Sequence, residues 1–308
     1  MPHVQSSRST LEETIIHDPV APVTCMITFP NRSESVHNSV FYMIMPAFRV
    51  LKTLARSLST TAKSTSELVG TAPSHRCYIF LHTPQPPSEY PAKYATPIQR
   101  ALLLRAAKWG GSVNFSWSED QQSICTRPPG EEDKQEYCLT AFAYPRGKLE
   151  ATVSMDNIEE VGEQLRVHAE GVSGTTPSNS DDVHLYVCTH GARDCRCGDI
   201  GGAVAQAIRD ELRKRRDTNP SDPSNRIKLA EVAHVGGHKY AANLLVYPHG
   251  EWLGEVEPED VPEILDAILA LPVRPRNIDE IPICPRHWRG RMGLNKDEQV
   301  QLLQRTHS

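Results

Sequence analysis

Apolar residues recur along this chain with two periods, and together they alternate strand signals with helix signals. YIFLH at residues 78–82 and VHLYVC at residues 183–188 are short apolar runs rich in β-branched and aromatic residues, so they read as strands that end in loops. Each is followed by a helical pattern. In residues 97–109 the buried side falls to Leu102, Leu103, Leu104, Ala106 and Ala107, and in residues 201–215 to Val204, Ile208 and Leu212. Residues 227–232 read as a further strand.

The two halves then rhyme. YPRGKLEATVSMDNIEEVGEQL at residues 144–165 matches YPHGEWLGEVEPEDVPEILDAI at residues 247–268 through Tyr144/Tyr247, Pro145/Pro248, Gly147/Gly250 and Val153/Val256. Both predict a hairpin with its turn at Pro-x-Gly and then an amphipathic helix, on Ile158, Val161 and Leu165 in one copy and Val261, Ile264 and Ile268 in the other. The expectation is an α/β chain of two tandem thioredoxin-like domains, each a mixed sheet with flanking helices, the second carrying the metal site. The boundaries expected are an extension at 1–72, a first domain at 73–170, a Gly/Ser/Thr/Asp linker at 171–182, a second domain at 183–272 and a tail at 273–308. That Pro- and Arg-rich tail reads as irregular chain laid over the surface.

Composition narrows the function classes. A formal net charge of −5 gives no overall basic field for nucleic acid. No apolar run reaches the roughly 18 residues that would span a bilayer. Eight cysteines without a signal peptide favour a reducing compartment, where clustered Cys and His act as metal ligands. Residues 43–64 carry Arg49, Lys52, Arg56 and Lys63, abundant Ser and Thr, no acid, and an apolar stripe of Val50, Leu51, Leu54 and Leu58. Those are the properties of a mitochondrial presequence. Because acidic residues precede it, the expectation is that translation starts at Met43 or Met45.

The chemistry is concentrated in the second half. Cys188 and Cys197 have eight residues between them in CTHGARDCRC, and His234 and His238 bracket two glycines in HVGGH. Gly236 and Gly237 discourage a helix there and favour a tight loop that aims both rings at one metal. Zinc accepts the same four ligands, but the short finger spacing is absent. Thiolates paired with each other and imidazoles with each other suit a [2Fe–2S] cluster, with Cys188 and Cys197 on the ferric iron and His234 and His238 on the reducible one. Neutral imidazole in place of thiolate raises the potential above that of an all-cysteine ferredoxin.

C-x8-C followed by H-x-G-G-H resembles the signature of the thioredoxin-like ferredoxins with two histidine ligands, in the sucrase/ferredoxin-like family. The flanking HVGGHKYAANLLVYPHGEWLGEV and HWRGRMGL are similar to that family as well, and the likeness covers roughly residues 73–292. It implies a [2Fe–2S] protein of the mitochondrial matrix concerned with redox homeostasis, with a first domain that lacks ligands. Phe80 stands there where the second copy has Cys188.

Around the four ligands, His190, Cys195, Arg196, Gly236, Gly237 and Lys239 are candidates to shape the site, with Tyr240 beside them. Cys195 is the ambiguous residue, as a competing ligand, a redox thiol or a spare loop cysteine. Cys77, Cys125, Cys138 and Cys284 read as incidental thiols. The glycines of GDIGGAVA lack the G-x-G-x-x-G fingerprint and fit a close approach to the cluster loop. The expected role is electron carrier rather than stand-alone enzyme, with unnamed protein donor and acceptor. The alternatives are a thiol oxidoreductase using Cys195 and a metal-stabilised interaction module.

Overall fold

Side-chain alternation along the strands gives the sheet two buried faces of different character. The computed structural model describes residues 67–120, 136–171 and 181–305. The presequence-like segment and residues 172–180 of the linker lie outside them. β1 (Cys77–His82), α1 (Pro97–Ala106), β2 (Gly111–Trp117), β3 (Glu136–Ala143), β4 (Gly147–Ser154) and α2 (Ile158–Glu170) come first. β5 (Val183–Cys188), α3 (Cys195–Thr218), β6 (Ile227–Val232), β7 (Leu244–Tyr247), β8 (Glu251–Leu253) and α4 (Val261–Leu269) repeat that order. β9 (Trp288–Arg291) and α5 (Lys296–Arg305) follow.

Among the described residues the nine strands form one mixed sheet in the order β4-β3-β1-β2-β6-β5-β7-β8-β9. β1 pairs parallel with β2 and antiparallel with β3, as β5 does with β6 and β7. The halves join where β2 meets β6 antiparallel, at Ser116↔Val232 and Trp117↔Glu231. Both hairpin turns carry a cis proline, after Tyr144 and after Tyr247, and a left-handed glycine, Gly147 at φ +82° and Gly250 at φ +79°. Only glycine adopts that φ readily, so the matched Pro-x-Gly letters encode one turn twice.

The outer face is covered by helices. Ile79 and Leu81 pack with Ile98, Leu102, Val161 and Leu165, and Leu185 and Val187 with Val204, Ile208, Ile264 and Ile268. The inner faces of the two halves meet each other in an aromatic seam. Phe80 of β1 stacks on Tyr186 of β5 with ring centroids 3.7 Å apart and planes 2° from parallel. β2 and β6 separate those strands in the sheet, so the sheet curls to bring them face to face. Phe142, Tyr247 and Trp252 complete the seam, all fully buried. Each such ring contributes roughly 1.5–3 kcal/mol of apolar burial.

Three expectations are corrected. The tail is not laid over the surface: residues 288–291 form the edge strand β9, with Trp288, Arg289 and Arg291 at 0%, 2% and 1% exposure. The helix expected from residue 201, with Gly198 at its mouth, begins earlier. Asp194 accepts from the Arg196 N–H and caps it, so Cys195 and Cys197 belong to its first turn. Cys138 is not an incidental thiol but is disulfide-bonded.

Candidate metal centre

Cys188 is the last residue of β5 and points to the inner face, one step beyond Tyr186 in the alternation. α3 brings Cys197 to it by a close approach that two glycines permit. A Cβ on Gly201 would overlap the Cys188 carbonyl, and one on Gly198 would lie 2.8 Å from the Gly191 Cα. Both cysteines are buried. β6 ends beside β5, and the loop leaving it carries His234, whose Nδ1 is 3.7 Å from the Cys197 Sγ. The ligand atoms of Cys188, Cys197 and His234 all lie within 4.8 Å of one another.

His238 is placed beside this group rather than in it. Its ring centroid is 5.8 Å from that of His234 and its planes are tilted by 29°. The side chain is 49% exposed and its Nδ1 is 3.6 Å from Asp194 Oδ2. Gly236 and Gly237 turn the chain through left-handed φ values of +84° and +67°, which delivers His238 to the surface side of His234.

The thiols share protons unequally. The Cys188 thiol is held well below its usual range, chiefly by a hydrogen bond from Cys197, against burial. His234 and the backbone N–H groups of Val235 and His190 also stabilise its thiolate. Cys197 keeps its proton, because it donates it to the Cys188 thiolate, is buried, and would be a second anion beside the first. A buried thiolate surrounded by N–H donors, with a thiol and an imidazole in reach, is the donor set a soft metal or an iron–sulfur cluster takes up.

Several residues that hold this arrangement were not among the sequence candidates. Arg289, on β9, lies under the glycine loop and bonds the Asn243 Oδ1 at 2.6 Å, the Gly236 carbonyl at 3.4 Å and the Thr71 carbonyl at 2.8 Å. Burial lowers its guanidinium to about 10. The Asn243 carbonyl accepts from the Cys188 N–H at 3.1 Å, and its amide donates to Gly237 at 3.2 Å. Asn114, on β2 of the first half, donates to the carbonyls of Ala233 at 3.1 Å and His234 at 3.5 Å. No spacing in the sequence marks Asn114 or Asn243, and Arg289 is signalled only by the HWRGRMGL segment.

Of the residues expected around the ligands, His190 has the most definite place. Its Nε2 donates to the Pro91 carbonyl at 3.0 Å, and its Nδ1 accepts from the His234 N–H at 3.4 Å. A carbonyl only accepts and an amide N–H only donates, so these partners fix the tautomer. Arg196 pairs with Asp194 at 2.9 Å. Cys195 opens α3, half-buried, outside the three-ligand group. Lys239 is exposed, with its ammonium 4.6 Å from the Tyr240 ring centre.

A curated relative from Meyerozyma guilliermondii, "Altered inheritance of mitochondria protein 32", is 33% identical over 36% of this chain and 38% of its own length. "Actin patches distal protein 1" of Saccharomyces cerevisiae is 35% identical over 28% of this chain and 29% of its own. The matched region thus spans well under two thirds of either relative. A thioredoxin-like [2Fe-2S] ferredoxin from Aquifex aeolicus is 23% identical, with a TM-score of 0.24, over 29% of this chain and 81% of that one. The profile described as Sucrase/ferredoxin-like matches residues 68–290, well over half of the chain and inclusive of every site residue above. The chain belongs to the sucrase/ferredoxin-like family.

Proposed function

We propose that this chain is a mitochondrial redox protein that holds one [2Fe–2S] cluster on Cys188, Cys197, His234 and His238. The observation that carries the reading is the meeting of Cys188, Cys197 and His234 within 4.8 Å around a stabilised thiolate. His238 supplies the fourth ligand from the next turn of the glycine loop, its ring already beside that of His234. Bound there, the cluster supplies one-electron transfer at a potential raised by its two neutral imidazoles. The protein's part is to hold Cys188 as a stabilised thiolate with Cys197 beside it, fix the glycine loop through Arg289 and Asn243, and leave His238 open to a partner.

In this reading residues 73–170 and 183–272 are tandem thioredoxin-like domains, and only the second holds the cluster. The electron donor and acceptor are proteins, and the site of action is the mitochondrial matrix, in keeping with the names of the curated relatives. Among the described residues no helix is long and apolar enough to cross a membrane.

Anaerobic purification followed by iron, zinc and acid-labile sulfide analysis tests the proposal. Two irons and two sulfides per chain are expected, with an EPR signal on reduction. His238→Cys should keep a cluster and lower its potential by on the order of 100 mV or more. Zinc without sulfide in the wild type would sink the reading.

A further inference from the structure

β5 directs three side chains into the seam, and only Cys188 belongs to the metal centre. His184 and Tyr186 precede it on the same face, so the strand runs from the centre at one end to His184 at the other. His184 is 8% exposed, packs against Phe142 at 5.2 Å between ring centroids, and leaves its Nε2 without a hydrogen-bond partner. Tyr186 is 1% exposed. One face of its ring is stacked on Phe80, and its hydroxyl bonds to none of the described residues.

Both polar tips border a cavity of about 200 Å3, open to the surface on one side and lined also by Ala230 on β6 and by Lys148 and Glu150 on β4. The strand registers agree with this placement. Phe142 pairs with Lys148 and Thr140 with Glu150, so the β4 side chains share the inner face with those of β5. Charge at the rim is close to balanced. Lys148 bonds Glu150 at 3.2 Å, and Lys228 stands with Asp120 and Asp182. Neither an anion nor a cation is favoured. Burial lowers His184 to about 3, so its ring stays neutral.

An apolar cavity of about 150 Å3 accommodates a benzene ring. Here the rings of His184 and Tyr186 with Leu229 and Ala230 form the inner wall beneath a charged rim, and His184 Nε2 is a buried polar atom left without a partner, where such atoms are normally paired. We propose that the cavity is a binding site for a neutral single-ring molecule bearing a hydroxyl or carbonyl group, bonded by His184 Nε2 and the Tyr186 hydroxyl. The site stands apart from the reading of the Cys/His group and needs no metal.

Phenol is the probe, titrated into the full chain and followed by the side-chain nitrogen resonances of the histidines. Saturation at one site per chain is expected on the order of 10 mM or below, as a small ligand with one good hydrogen bond allows. Benzene should bind more weakly. Tyr186→Phe keeps the stack on Phe80 and removes only the hydroxyl, and should weaken phenol about fivefold, the worth of one neutral hydrogen bond. Ala230→Phe fills the cavity and should abolish binding while thermal unfolding stays cooperative. If that variant does not fold, the Tyr186→Phe comparison decides. Shifts that do not saturate, equal affinity in wild type and Tyr186→Phe, or an ordered water that stays on His184 Nε2 with phenol excluded would each overturn the proposal.

Discussion

Two adjacent glycines show how differently neighbouring residues can be constrained. Gly236 and Gly237 both hold a left-handed φ, at +84° and +67°. A Cβ on Gly236 would meet nothing within 4 Å, whereas one on Gly237 would overlap the buried guanidinium of Arg289. Gly236→Ala therefore carries only the backbone cost, about 1 kcal/mol. Gly237→Ala adds the displacement of a cation whose bonds to Thr71, Asn243 and Gly236 fix the loop. Its expected cost is about 2–4 kcal/mol, within the range of steric and buried-network defects. Urea unfolding of the two variants checks this, with metal retention as a second readout. Equal losses would mean that Arg289 does not hold the loop. The meeting of Cys188, Cys197 and His234 and the turn at these glycines were legible in the sequence because C-x8-C and H-x-G-G-H are local patterns, whereas the place of His238 beside the group was not. Asn114 was not, because the carbonyl it bonds lies 120 positions further along the chain.

At the scale of elements, the repeat carried most of the architecture. Matched turns and matched helical stripes recur in the structure as the same strand pairings, and the Phe80/Cys188 equivalence follows from the registers. Tyr78 pairs with Phe142, two residues before Tyr144, and Tyr186 with Leu245, two before Tyr247. β9 escaped because its composition misleads. Alternating arginines in WRGR read as solvated chain, yet Arg291 bonds the fully buried Glu251 at 2.9 and 2.6 Å, and Trp288 donates to the same carboxylate. Charges buried on an edge strand satisfy one another, which no hydropathy pattern records. Removing Arg291 leaves the buried carboxylate with only the Trp288 N–H and the Arg276 guanidinium 3.5 Å away, so Arg291→Ala should destabilise by about 3 kcal/mol. Glu251→Met with Arg291→Met should recover much of that loss. Equilibrium unfolding of the single and double variants measures both, and a single variant as stable as wild type would contradict the pairing.

The whole molecule depends on its seam, because that is where the first half touches the half that carries the Cys/His group. Pro91 and Asn114 reach the ligand loops from the first half, and the rings of Phe80 and Tyr186 close the interface. Three histidines lie in the same seam. His75 packs on Tyr78 and Trp252, His82 bonds Thr140 and Ser116, and His184 packs on Phe142. Burial lowers His75 and His82 to about 4 and His184 to about 3, against 6.5 when unfolded. Between those values the unfolded chain binds protons that the folded chain excludes. Stability is therefore full above about pH 6.5 and is lost as pH falls through 6 and 5 towards 4. At about pH 5 each group removes about 2 kcal/mol, since 1.5 pH units separate that pH from the unfolded value. The urea midpoint should fall steeply between about pH 7.5 and about pH 5; His249, lowered by burial to about 4, adds to the fall, so His82→Gln, which cannot be protonated, should flatten it by about one quarter. A midpoint independent of pH over that interval would show that the seam admits the protonated rings, and the two halves would then be less tightly joined than their stacked aromatic contact indicates.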